Sequence, residues 1–159
     1  MIFTSSKCTK GIKGNPIIPG DKSISHRSII IPSISKGISE ITNILKSDDV
    51  IHTLNAFRDM GVEILDTRDK LIINGKGLQS LKDPKKEIYL GNSGTSARLL
   101  TGLLSSQNFD SVLTGDKSLS QRPMKRISIP LSKMKAVIKT NNGCMPLSIK
   151  GSNLINSEI

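Results

Sequence analysis

Arg27 and Arg98 stand 71 positions apart, each behind a glycine- and hydroxyl-rich loop, and Ile41 and Val112 repeat the same offset. Gly77 and Gly151 close the two stretches with a spacing of 74. Three landmarks recurring in order at offsets of 71 to 74 mark a single structural module used more than once. That constraint bears on the fold more than any local propensity does.

Each copy reads as β-α-β-α-β-β. Residues 1–19 carry two prolines and three lysines and read as a strand or two with turns. A helix is expected from Ser23 or Ser25 to about Lys36, stopped at Gly37, with Pro32 kinking or shortening it. Ile38 to Leu45 reads as a strand. Ser47-Asp48-Asp49 forms an N-cap cluster for a helix in which Val50, Leu54, Phe57 and Met60 share one face until Gly61. Strands follow at Val62–Leu65 and Leu71–Ile73. The second copy runs through a strand at Ile88–Leu90, a helix carrying Arg98 to Leu104, a strand at Val112–Thr114 and a polar loop at Gly115–Gln121. It continues with a helix opened by Pro123 and ending near Met134, then strands near Ala136–Thr140 and Leu147–Lys150. Boundaries follow from this reading: an N-terminal segment at 1–19, one domain at 20–159, repeat one at about 20–77, repeat two at about 86–151 and the start of a third at 152–159. The class is α/β (α+β).

Four stretches bear on chemistry. Gly20-Asp21-Lys22-Ser23-Ile24-Ser25-His26-Arg27-Ser28 places a turn glycine, two cations and hydroxyls at a helix start, which is how a chain holds an anion. Lys22 supplies a point charge, Arg27 a planar fork of donors, and Ser23 shares the helix face of Arg27 four residues on. The plain alternative is a capped surface helix. Leu90-Gly91-Asn92-Ser93-Gly94-Thr95-Ser96-Ala97-Arg98 offers a second Gly/Ser/Thr helix start, without the Gly-Lys-Ser/Thr of a P-loop and without a dinucleotide fingerprint. Arg122, just before Pro123, is placed to reach across its loop toward an anion. The carboxylates of Asp48 and Asp49 are explained by the helix cap rather than by acid–base work.

Composition narrows the partners. The net charge of +10 suits anionic ligands, but the cations are dispersed and aromatics make up 3% of the chain, which argues against a single-strand nucleic-acid binder. Runs such as Ile29-Ile30-Ile31 are far too short to span a bilayer, and no secretory or transit pattern opens the chain, so a cytoplasmic protein is expected. Cys8 and Cys144 form no CxxC pair, and His26 and His52 lack ligand spacing, so no metal site is expected and neither cysteine is read as a nucleophile.

Gly-Asp-Lys-Ser-Ile-Ser-His-Arg (20–27), Asp-Asp-Val (48–50) with its helix to Met60-Gly61-Val62, Gly-Asn-Ser-Gly-Thr (91–95) and Arg-Pro-Met (122–124) together resemble the N-terminal part of the 3-phosphoshikimate 1-carboxyvinyltransferases, the EPSP synthases. Each motif alone is modest; the set, in this order and spacing, is specific. The resemblance runs from about Pro16 to the last residue and implies a chain corresponding to the first third of a typical member. Ser93 and Leu99 stand where the family often has alanine and proline. The related UDP-N-acetylglucosamine enolpyruvyltransferases fit less well, because their first motif differs and neither cysteine stands at their loop position.

The resemblance implies a fold of two domains, each of three β-α-β-α-β-β units around an active-site cleft, with the segment 1–19 packing on the other domain. It implies transfer of the enolpyruvyl group of phosphoenolpyruvate (PEP) to shikimate 3-phosphate, in aromatic amino-acid biosynthesis, with no cofactor and no metal. Lys22, Ser23 and Arg27 would hold shikimate 3-phosphate, while Lys22, Asn92, Gly94, Thr95 and Arg122 would hold PEP. No catalytic acid or base is expected within these 159 residues. The partners implied are the two small anions and a second domain, in an otherwise monomeric protein that binds neither nucleic acid nor membrane. The competing reading is a stand-alone anion-binding α/β module without catalysis.

Overall fold

A computed structural model describes residues 3–7, 11 and 13–157. The elements are α1 (Lys22–Ile34), β1 (Lys36–Thr42), α2 (Asp48–Asp59), β2 (Glu63–Asp66), β3 (Lys70–Lys76), β4 (Ile88–Tyr89), α3 (Gly94–Ser105), β5 (Ser111–Thr114), α4 (Lys125–Lys133), β6 (Val137–Asn141) and β7 (Cys144–Lys150), with 3-10 turns at Leu78–Ser80 and Leu119–Gln121.

Two sheets share one plan. The first runs β1-β3-β2 and the second β4-β5-β7-β6. In both, the last strand of the unit lies in the middle and pairs antiparallel on each side. The second sheet has one strand more, because β4 lies parallel to β5 with Ile88 opposite Leu113. A parallel pair needs a crossover, and α3 supplies it.

The first sheet has no counterpart of β4 among the described residues. Residues 13–19 stay outside any ladder, which corrects the expected strand there. The sequence offset aligns Ile17 with Ile88, yet Ile17 is 97% exposed and Ile88 1%. An apolar strand residue is held in a sheet by what covers its face; α2 packs against β4, whereas Ile17 stands open.

Helices lie on the inner faces of both sheets and build one core. Ile29 of α1, Leu54 and Phe57 of α2, Ile73 of β3, Ile88, Leu100 of α3, Leu113 and Leu147 belong to a single buried cluster. The period-2 burial of β3 and β7 follows from the pleat, with Leu71 and Ile73, then Met145, Leu147 and Ile149, turned inward. At about 25 cal/mol per Å² of apolar surface removed from water, such side chains contribute roughly 1.5–3 kcal/mol each.

Several boundaries differ from the sequence reading for local reasons. The helix α1 begins at Lys22 because Asp21, not a serine, is its N-cap; the Asp21 carboxylate accepts from Ile24 N–H at 2.7 Å. It ends at Ile34, with Pro32 in its last turn and the Ser35 N–H returning to Ile31 O and Pro32 O. Pro123 does not open α4. The chain makes a 3-10 turn through buried Leu119, Met124 N–H bonds Gly143 O at 2.8 Å, and the helix starts at Lys125 with Pro130 inside it.

Candidate functional site

Three helix starts meet at one end of the molecule. The first residue of α1, Lys22, places its ammonium 2.6 Å from Asp49 Oδ2 in the first turn of α2. Thr53 of α2 and Ser96 of α3 bring their hydroxyl oxygens to 2.5 Å. Loop 20–28 therefore stands beside loop 91–98, although 71 residues separate them in sequence. Gly20 permits the approach of its own loop: a Cβ there would lie 2.2 Å from Asn43 O and 2.9 Å from Leu45 N.

The start of α1 presents its side chains to solvent more than its backbone N–H groups. Asp21 occupies Ile24 N–H, and Ser25 N–H bonds Asp21 O. That narrows the open helix start, since the Asp21 carboxylate already takes one of its N–H groups. Ser23 and Arg27 are exposed, and among the described residues neither side chain has a hydrogen-bond or ion-pair partner.

Asp49 has a larger part than the helix cap alone. Ser47 holds the N-cap position, but its hydroxyl makes no capping bond and lies buried without a partner among the described residues. The carboxylate of Asp49 instead tethers Lys22, whose side chain remains half exposed.

Around Gly94 the charges are packed more tightly. Arg122 donates through Nη2 to Asn92 Oδ1, and Asn92 donates through Nδ2 to Asp116 Oδ2 at 2.9 Å. The Asp116 carboxylate also accepts from Leu119 N–H at 2.7 Å. That bond, with further help from the Asn92 amide, the Ser118 N–H and the Arg122 charge, holds its carboxyl below the ordinary aspartate value. Arg98 donates to Gly94 O at 3.1 Å and to Pro123 O at 3.3 Å, clamping the first turn of α3 to the Arg-Pro loop. A Cβ on Gly94 would lie 2.9 Å from Arg98 Nη1 and 3.1 Å from Arg122 Nη1. Thr95, next in the chain, is exposed and its hydroxyl has no partner among the described residues.

Lys22 and Asp49 thus form one group, and Asn92, Gly94 and Arg122 another; Ser23, Arg27 and Thr95 stand exposed beside them. Among the described residues, no side-chain hydrogen bond or ion pair joins the two groups at the surface. The link runs underneath, through His26, Thr53 and Ser96. Arg98, Asp49 and Asp116 were not singled out as binding residues from sequence. The (i, i+4) relation of Arg98 to Gly94 on one helix was the available signal for the first.

Cavities elsewhere do not compete chemically. One of about 580 Å³ lies over β5–β7 and the 83–86 connection, where Asp83, Lys86, Asp110, Lys139 and Lys150 mix both charges. A smaller one of about 300 Å³ adjoins the start of α1 between Ile18, Asp21, Ile24 and Asn43. Among the described residues, no three His, Cys, Asp or Glu side chains gather as metal ligands, and no helix is long and apolar enough to cross a membrane. Cys144 is a free thiol 3.7 Å from Gln121 O; Cys8 lies outside the described residues.

Comparison with known proteins gives one consistent result. A family model described as EPSP synthase (3-phosphoshikimate 1-carboxyvinyltransferase) matches residues 7–159. The 3-phosphoshikimate 1-carboxyvinyltransferase of Ruthia magnifica subsp. Calyptogena magnifica is 51% identical over 150 residues, covering 94% of this chain and 34% of its own length. That of Geobacter sp. (strain M21) is 52% identical over 151 residues, covering 94% and 35%. An EPSP synthase from Acinetobacter baumannii, solved at 2.37 Å, superposes with a TM-score of 0.84 at 51% identity, covering 87% of this chain and 32% of that one. The chain spans about a third of the length of the curated relatives it matches.

Proposed function

The chain belongs to the EPSP synthase family, and on that footing we propose that it forms the substrate-binding first third of a cytoplasmic, monomeric transferase that moves the enolpyruvyl group of PEP to shikimate 3-phosphate. In that reaction the 5-hydroxyl oxygen of shikimate 3-phosphate bonds to C2 of PEP while the methylene carbon gains a proton. The hydroxyl gives up its proton in that addition, and loss of phosphate from C2 with a proton from the resulting methyl group then re-forms the double bond, now as an enol ether.

Both substrates are multiply anionic, and the two clusters divide them. Lys22, Ser23 and Arg27 hold shikimate 3-phosphate, the guanidinium and ammonium meeting its phosphate and the hydroxyl fixing its orientation. Gly94, Thr95 and Arg122 hold PEP, with Asn92 orienting Arg122 and Lys22 reaching both anions. Fixed cations that do not have to reorganise hold the reacting ends together and stabilise charge as it shifts toward the departing phosphate. The observation that carries this reading is that Ser23, Arg27 and Thr95 are exposed, their side chains without partners among the described residues, while the Lys22 and Arg122 charges beside them are held by neighbours.

These 159 residues bind without turning over. Protonating the methylene and deprotonating the hydroxyl need a separate acid and base, and the carboxylates of the two clusters are engaged within the chain, Asp49 by Lys22 and Asp116 by Asn92 and the Leu119 N–H. Calorimetry with shikimate 3-phosphate on the chain and on Lys22→Ala and Arg27→Ala tests the binding role. Loss of heat in both variants is expected, and unchanged affinity in both overturns it. Phosphate release from PEP plus shikimate 3-phosphate by the pure chain would overturn the absence of turnover.

A further inference from the structure

A buried chain of polar side chains runs beneath the two clusters. His26, one position before Arg27 on α1, is fully buried, as are Thr53 and Ser96; Ser93 is 1% exposed. Its Nδ1 lies 2.9 Å from Thr53 Oγ1 and 3.3 Å from Ser96 Oγ. Ser96 Oγ in turn lies 2.5 Å from Thr53 Oγ1 and 2.6 Å from Ser93 Oγ. Ser93 is the N-cap of α3, its hydroxyl accepting from Ser96 N–H at 3.2 Å. One side chain from each of three helices therefore converges on the cap that precedes Gly94.

This arrangement is poorly explained by stability alone. Among the described residues, Nε2 of His26 is buried with no partner, and an apolar side chain of similar volume would avoid that cost. The ring gives direction in return. Thr53 Oγ1 stands 3.1 Å from Asp49 O, within its own helix. With the threonine hydroxyl donating there, its oxygen accepts from Nδ1–H, so the ring carries its proton on Nδ1. Burial depresses the basicity of the imidazole, which keeps it neutral. A rigid ring with one in-plane N–H fixes the Thr53 oxygen, which fixes the Ser96 hydroxyl, which fixes the cap.

We propose that His26 is a positioning residue: through Thr53 and Ser96 it sets the Ser93 cap and so aims the Gly94–Thr95 backbone at the anion bound beside Arg122. The inference rests on the reading of that loop as the PEP site, and its test separates the two.

The experiment compares the chain with His26→Leu, which fills the space without hydrogen bonding, and His26→Asn, which returns a donor near Nδ1. Amide ¹H–¹⁵N shifts of Gly94, Thr95 and Ser96 are recorded without ligand, and PEP and shikimate 3-phosphate are then titrated separately. In His26→Leu the three amides should move and PEP affinity should fall about tenfold, with shikimate 3-phosphate affinity within about twofold. His26→Asn should restore both readouts. Ser96→Ala, which breaks the chain at a helix position suited to alanine, should reproduce the PEP-selective loss and covers the case in which His26→Leu does not fold. Unmoved amides in His26→Leu or Ser96→Ala, equal loss for both ligands, or no rescue by asparagine overturns the proposal. A chain whose amides move and recover as expected while the unsubstituted protein ignores PEP supports the positioning role and defeats the PEP reading instead.

Discussion

The Nζ of Lys22 lies 2.6 Å from Oδ2 of Asp49, so the cation that leads α1 is held by the helix after it. Both groups are partly solvated, which limits the pair to about 0–1 kcal/mol. Asp49 also sits in the first turn of α2, where a negative charge adds roughly 0.3–1 kcal/mol. Asp49→Asn should therefore lower stability by about 1 kcal/mol in urea unfolding at low salt. Most of that loss should vanish in 1 M NaCl, where exposed charges are screened within about 3 Å. A loss above about 2 kcal/mol that salt leaves unchanged would mean the pair is not the solvated contact described.

Gly94→Ala separates folding from binding. The residue opens α3, where alanine is favoured over glycine by up to about 1 kcal/mol. The new Cβ meets only the ends of two long side chains, Arg98 and Arg122. Thermal unfolding should show equal or slightly higher stability, while calorimetry shows weaker PEP binding because Arg122 must move away. Lower stability together with unchanged PEP affinity would reverse the assignment of Gly94.

His26 makes stability depend on pH with a defined sign. Burial holds its imidazole below the ordinary 6.5, outweighing the Asp49 carboxylate that pulls upward, while Lys22 adds to the lowering. The unfolded chain, with His26 near 6.5, binds the proton first as pH falls. The stabilisation is therefore complete above about pH 7.5 and is lost as pH drops through 6.5 toward the folded value, by at most about 1.4 kcal/mol per pH unit. Urea unfolding between pH 7.5 and 5 should show the stability of the unsubstituted chain falling faster than that of His26→Asn. Parallel curves would remove His26 from the pH response.

Local patterns in the sequence located most elements. The recurrence of Val50, Leu54, Phe57 and Met60 placed α2, and the matched offset of Arg27 and Arg98 anticipated two sheets of one plan. Contacts that depend on distance in space were not legible. His26 meets residues 27 and 70 positions away, and no spacing rule links a histidine to a threonine and a serine on other helices. Asp21 outcompeted the serines as cap because its carboxylate reaches Ile24 N–H. Pro123 lost its expected place because burial of Leu119 and Met124 fixed the turn before α4. Arg98 was visible as half of a repeat but not as a clamp, since its second partner, Pro123 O, lies 25 residues on.

Ile17 and Ile88 provide the sharpest check on the repeat. They stand 71 positions apart, the offset of the repeat, with Ile17 just before the first unit, but Ile88 lies in a ladder beneath α2 and is 1% exposed, while Ile17 is 97% exposed. Truncating a buried isoleucine costs about 2–5 kcal/mol, because transfer and cavity terms add. Truncating an exposed one changes stability by less than about 0.5 kcal/mol. In the 159-residue chain, Ile88→Ala should therefore lower the urea midpoint sharply and Ile17→Ala should leave it in place. If the unit plan holds, a helix equivalent to α2 packs over Ile17 when more of the family's length is present. In a chain extended to the length of its relatives, the cost of Ile17→Ala should rise to that of Ile88→Ala. A small cost for Ile88→Ala in the short chain would show that Ile88 is not the buried ladder residue described; an Ile17→Ala cost that stays negligible in the extended chain would show that no such helix covers it.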